Sequence, residues 1–110
     1  MRTVSLVEPR QFSADRMQKV GLFETDHCFS DLYCFEPGQA QALHAHEGAD
    51  KIYVVLEGSG TFTVDDDRQE LAPQTAVLAP GGSQHGVENT GAGRLVLLVF
   101  MAPNPNKAHA

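Results

Sequence analysis

From Asp31 onward the chain reads as short apolar runs cut by turn chemistry. The runs cover residues 32–36, 43–46, 52–56, 61–64, 75–79 and 95–101. Between them stand Pro37-Gly38, Glu47-Gly48, Gly58-Ser59-Gly60, Asp65-Asp66-Asp67 and Pro80-Gly81-Gly82. Many short strands at this spacing, with Gly and Pro between them, predict an all-β sandwich or barrel. One helix is predicted, over residues 9–20. Pro9 suits a first turn there, and Phe12, Met17 and Val20 supply a thin apolar face.

The runs 51–56 and 95–101 do not alternate; they are apolar toward both faces. A two-layer sandwich in one small domain covers only the inner face of each sheet. The outward half of each run must then be covered by the first thirty residues or by a second subunit. A symmetric homodimer is expected, because twofold pairing is the commonest closed assembly. The organisation that follows is an extension over residues 1–30, packed on the barrel or on a partner, and a barrel over 31–102. Residues 103–110 carry two prolines and no apolar pattern and are expected to fray, so His109 is given no role.

At 110 residues the chain has room for one domain, and 42% hydrophobic with 20% charged residues is ordinary for a globular protein. Eight Lys and Arg against fourteen Asp and Glu leave a net charge of −6. An acidic chain without a basic cluster is not expected to partner nucleic acid or an anionic membrane surface. No apolar run approaches the length of a membrane span. The opening MRTVSLVEPR lacks the apolar core and cleavage site of a signal peptide, so a cytoplasmic location is expected. Cys28 and Cys34 are then two free thiols in a reducing compartment. There is no Gly-x-Ser-x-Gly elbow, phosphate loop or dinucleotide fingerprint.

The candidate chemistry lies in the histidines. His44 and His46 are two apart, and in a strand such residues share a face, so both rings can converge on one point. Gly38 precedes His44 by five intervening residues, and six residues separate Lys51 from Gly58. Further on, Pro80, Gly82, His85 and Asn89 follow the pattern Pro-x-Gly-x2-His-x3-Asn. Together these spacings resemble the two motifs of the cupin superfamily over residues 32–101, in the form of its small bacterial single-domain members. The resemblance implies a double-stranded β-helix, or jelly-roll barrel. It also implies one divalent metal ion (Fe, Mn, Ni, Co, Cu or Zn) held by His44, His46 and His85. The matched glycines read as turn positions, and His27, outside both motifs, as structural.

Two positions depart from the pattern. Gln74 replaces a turn glycine, and Lys51 stands where similar proteins carry a glutamate ligand. Strand parity points Lys51, Tyr53 and Val55 into the same interior as the histidines. An ammonium about 5 Å from a dication is repelled by roughly 6–7 kcal/mol at an effective dielectric near 20. Four resolutions stay open. A bulge turns Lys51 out and brings Asp50 in; Glu47 reaches back as fourth ligand; three histidines and water hold the metal; or no metal binds tightly and Lys51 holds a small anion.

The resemblance implies a metal-dependent dioxygenase, isomerase or lyase acting on a small polar organic acid. Lys51 and Tyr53 are its candidate catalytic residues. The rival reading is a non-catalytic small-molecule or anion-binding (or sensing) cupin without a tight metal, and whether the chain is an enzyme stays open. Phe35 and Phe62 read as core or pocket lining. Asp65-Asp66-Asp67 reads as a solvated hairpin tip rather than a carboxylate cluster.

Overall fold

The computed structural model describes residues 1–107. Nine strands and no helix occur among them: β1 (Gln18–Glu24), β2 (Phe29–Phe35), β3 (Ala40–His44), β4 (Asp50–Glu57), β5 (Gly60–Val64), β6 (Asp67–Leu71), β7 (Ala76–Ala79), β8 (His85–Glu88) and β9 (Leu95–Ala102). They form two antiparallel sheets, ordered β1-β2-β9-β4-β7 and β3-β8-β5-β6. This is the all-β sandwich that the turn spacing predicted, in the jelly-roll form that the cupin resemblance implied.

Parity sets what each strand gives to the core. Tyr33 and Phe35 of β2, Tyr53 and Val55 of β4, and Leu95, Leu97 and Val99 of β9 face inward. They meet Phe62 of β5 and Val87 of β8 in one buried cluster. Each such side chain contributes about 1.5–3 kcal/mol by leaving water. The alternate residues of the same strands face outward, and Leu32, Cys34 and Val96 are nonetheless fully buried. Phe12, Val20, Leu22, Leu56 and Leu98 pack over them. Two apolar faces on β4 and β9 are thus explained in part by the N-terminal segment.

That segment is the expected helix, and it is not one. Phe12 belongs to the outer cluster and Met17 to the inner core, so the chain must cross from one face of the sheet to the other. A helix over 9–20 would put both on one side. Arg94 clamps the crossing, its guanidinium 4.0 Å from the centre of the Phe12 ring and its Nε 2.9 Å from Glu36. Arg10 ties to Glu57 at 2.7 Å. Beyond this cover, Leu78, Ile52 and Phe100 stay exposed, side by side across β7, β4 and β9.

Two turns show why particular residues are needed. At Gly58 φ is +77°, and a Cβ there would overlap the Arg94 carbonyl, so glycine is required on both counts. Asn89, 1% exposed, donates to the carbonyls of Phe35 and Gly93 and accepts from the Gly91 amide. Asp65 and Asp66 form the β5–β6 turn and are exposed, as expected of a solvated tip. The segment expected to fray is anchored at its start: Asn104 is fully buried and donates to Glu24 and to the Thr25 carbonyl. Residues 108–110, His109 included, lie outside the described residues.

Candidate functional site

The histidines come together through sheet register. His44 ends β3 and His85 begins β8, and the two are paired across these antiparallel strands. Their ring centres are 4.3 Å apart. His46 lies just past the end of β3, with its ring 5.0 Å from that of His44 and 6.1 Å from that of His85. The loop that carries His46 is held by the Pro80–Gly82 turn. Gly82 donates its amide to the His46 carbonyl and Gly81 donates to Asp50 Oδ1, both at 2.9 Å. Gly82 has φ +84°, which is why glycine suits that position.

Two of the rings are tethered at Nδ1. His44 Nδ1 lies 2.9 Å from the Ala42 carbonyl, and His85 Nδ1 lies 3.1 Å from that of Ser83. A carbonyl can only accept, so each Nδ1 carries the proton and each Nε2 presents a lone pair. Burial lowers the pKa of all three imidazoles, His85 to about 4, with His44, Lys51 and His46 adding to the effect there. All three are neutral near pH 7. Among the described residues, His85 Nε2 is buried without a partner.

Lys51 points inward and is 1% exposed. Its Nζ lies 3.5 Å from His44 Nε2 and 3.4 Å from Gln41 Oε1, and 5.0 Å from the ring centres of both Tyr33 and Tyr53. Neither ion pair found among the described residues includes it. A buried ammonium outside any ion pair is costly, and burial, aided by the nearby Lys19 and opposed in part by the Asp31 carboxylate, lowers the Lys51 pKa to about 7. Gln41 organises the group: its Oε1 also accepts from the Tyr53 hydroxyl at 2.9 Å, and its Nε2 donates to the Tyr33 hydroxyl at 3.2 Å. Burial pushes the Tyr33 phenol up to about 12 and raises that of Tyr53 further. Both stay protonated donors.

The group forms one wall of a cavity of about 690 Å³. His44, His46, Gln41, Tyr33, Lys51, Lys19, Gly21 and Asp31 line it, together with Pro105 and Asn106. Asp50 and Glu47 are exposed; Asp50 is engaged with Gly81, and the Glu47 carboxylate lies beside Gly82. The structure therefore brings His44, His46, His85, Lys51 and Tyr53 together and leaves the two acidic candidates outside.

Residues 31–101 match the cupin domain family. The chain is a cupin. Its fold matches that of the TT1209 protein from Thermus thermophilus with a TM-score of 0.92, at 40% identity over 96% of this chain and 100% of that one. An RmlC-like cupin from Desulfovibrio desulfuricans matches with a TM-score of 0.84, at 27% identity over 94% and 98% of the two chains. An oxalate-binding protein of Thermotoga maritima is 34% identical over 55 residues, 50% of this chain and 46% of that one. An uncharacterised protein of Methanocaldococcus jannaschii is 32% identical over 66 residues, 60% of this chain and 53% of that one. The chain spans about half the length of these last two.

Cupins often hold a metal, and this donor set is a poor match to one. Among the described residues no three His, Cys, Asp or Glu groups are disposed to hold an ion. No carboxylate joins the rings, and an amine occupies the space in front of His44 Nε2. The unpartnered His85 Nε2 is the one observation on the other side. No helix among the described residues is long and apolar enough to cross a membrane.

Gln41, Tyr33, Lys19 and Asp31 belong to the cavity and were not singled out from the sequence. Tyr33 lies within the run 32–36 at the parity of Phe35, and the same parity would have found Asp31 had the strand been read from Phe29 rather than from Leu32.

Proposed function

We propose that this cupin binds a small organic acid, with a carboxylate seated against Lys51 and the imidazoles of His44 and His46. A buried amine in no ion pair among the described residues, on the wall of an open cavity, carries the reading. The ligand's carboxylate would be the missing counter-charge, and the oxalate-binding relative lends support. Isothermal titration with oxalate tests it, on chelator-treated protein. Saturable binding is expected, weakened about tenfold to a hundredfold in Lys51→Met, the range for a charge-assisted hydrogen bond. Equal affinity in the variant refutes the reading.

His85 Nε2 favours a second reading, in which His44, His46 and His85 hold one divalent ion with water in the open positions. When bound, such an ion would supply Lewis-acid polarisation of a ligand oxygen. Dioxygenase, isomerase or lyase chemistry, with Tyr53 and Lys51 beside the reacting acid, belongs to this reading. Asp50 or Glu47 would join the shell only if their loop were rebuilt. One equivalent of metal retained on purification, and lost in His44→Ala, would favour this reading over the first. We also propose that the Leu78–Ile52–Phe100 row is the contact of a homodimer, since exposed contiguous apolar surface on a sheet commonly marks an interface.

A further inference from the structure

On β2 the inward residues are Phe29, Asp31, Tyr33 and Phe35, so Asp31 places a carboxylate on the cavity wall, between two aromatic side chains. Across β1 its register partner is Gly21. A Cβ at Gly21 would already lie 3.8 Å from Asp31 Oδ1, and with only hydrogen there the carboxylate faces open space. Among the described residues its Oδ atoms accept no hydrogen bond, and neither ion pair includes Asp31. The other acidic side chain lining the cavity, Glu24, is already engaged by Asn104 at 2.9 Å. A part-buried carboxylate whose oxygens accept from no protein group can accept a hydrogen bond from a ligand in the cavity.

The same face of the sheet supplies the complement. Lys51 is two strands away on β4 and one inward position further along. Strand spacing near 4.8 Å and about 6.8 Å between same-face neighbours put the two Cα atoms roughly 12 Å apart. Both residues line the cavity, and a span of that order suits a short acid. Lys19 and Lys51 both lie near 5 Å from the Tyr33 ring centre, and Asp31 shares their face of the sheet, so a ligand in the cavity would meet cations and an acceptor together.

We propose that Asp31 is the specificity-determining residue of the cavity, selecting short carboxylic acids that also carry a hydroxyl or ammonium group over plain alkyl carboxylates. The proposal rests on the organic-acid reading above and adds which acids are taken.

Two matched sets of probes test it by isothermal titration: acetate, glycolate and glycine, then butyrate, 3-hydroxybutyrate and 4-aminobutyrate. In wild type the substituted acid of at least one set is expected to bind about tenfold to a hundredfold more tightly than its plain parent, the range for a hydrogen bond to a charged group. Asp31→Ala is expected to erase that ratio. It should also strengthen oxalate binding, because a like charge leaves the cavity while Lys19 and Lys51 remain. Opposite movements of the two ligand types cannot come from general damage. Asp31→Asn, nearly isosteric, is expected to lose the preference for the ammonium probes and keep part of that for the hydroxyl ones. A wild-type ratio near one, a ratio that survives Asp31→Ala, or a uniform fall for every ligand overturns the proposal. If plain carboxylates and oxalate bind without discrimination, only the role of Asp31 fails. If no acid binds at all, the organic-acid reading fails with it.

Discussion

Replacing Lys51 by Met should make the protein more stable at neutral and acidic pH, and less so at high pH. In the folded state burial holds the Lys51 pKa near 7, against 10.5 for the exposed side chain. Between those values the unfolded chain binds a proton that the folded one does not, so wild-type stability rises with pH across that window. Below pH 7 the full penalty is present; above about 10.5 it has gone. At 1.36 kcal/mol per pH unit the gap is worth roughly 5 kcal/mol. Met fills a similar volume but leaves Gln41 Oε1 and His44 Nε2 without the lysine donor, a loss of about 1–3 kcal/mol. The variant should therefore gain a few kcal/mol at pH 6 and be equal to or less stable than wild type near pH 10.5. Urea unfolding followed by far-UV circular dichroism, or by tyrosine emission since the chain has no Trp, measures both proteins from pH 6 to 10.5. Saturating oxalate should narrow the gap at pH 6, because a bound anion stabilises the ammonium. A stability difference that does not change with pH would refute the burial argument, and with it the case for a missing counter-charge.

His85 gives a second titration of distinct range. Its folded pKa of about 4 lies below the ordinary 6.5, so the unfolded chain takes up the proton first and stability falls as pH drops from 6.5 to 4. The loss is roughly 3 kcal/mol, and urea titrations of chelator-treated protein should show a flatter profile for His85→Gln. At the outer face, Ile52→Lys puts a charge at the centre of the Leu78–Ile52–Phe100 row. Light scattering should show a dimer for wild type and a monomer for the variant, with the far-UV spectrum unchanged; a dimeric variant would move the interface elsewhere.

The architecture was legible because turn residues and strand parity are local. Pro80-Gly81-Gly82 marks the turn before β8, and strand parity puts Lys51, Tyr53 and Val55 on one face with no knowledge of their partners. The His44–His85 meeting was legible only through motif spacing, since the register that pairs β3 with β8 links residues forty positions apart. What parity could not provide was the length of each strand. β2 begins with Phe29-Ser30-Asp31 and β3 with Ala40-Gln41-Ala42, stretches with too little apolar content to announce a strand, yet they carry Asp31 and Gln41. Polar residues at inward positions weaken the hydrophobic signal by their nature, so a cavity wall is where a sequence reading ends its strands too early. The same reasoning explains the failed helix. Phe12 and Met17 are five apart and pack on opposite faces of one sheet, a crossing that helical spacing cannot express. Lys51 is the reverse case. Its inward direction was plain from parity, and its energetic cost follows from charge and burial alone. The chain tolerates that cost at a position where an apolar residue would fold more easily, which is the expected signature of a residue kept for what it binds.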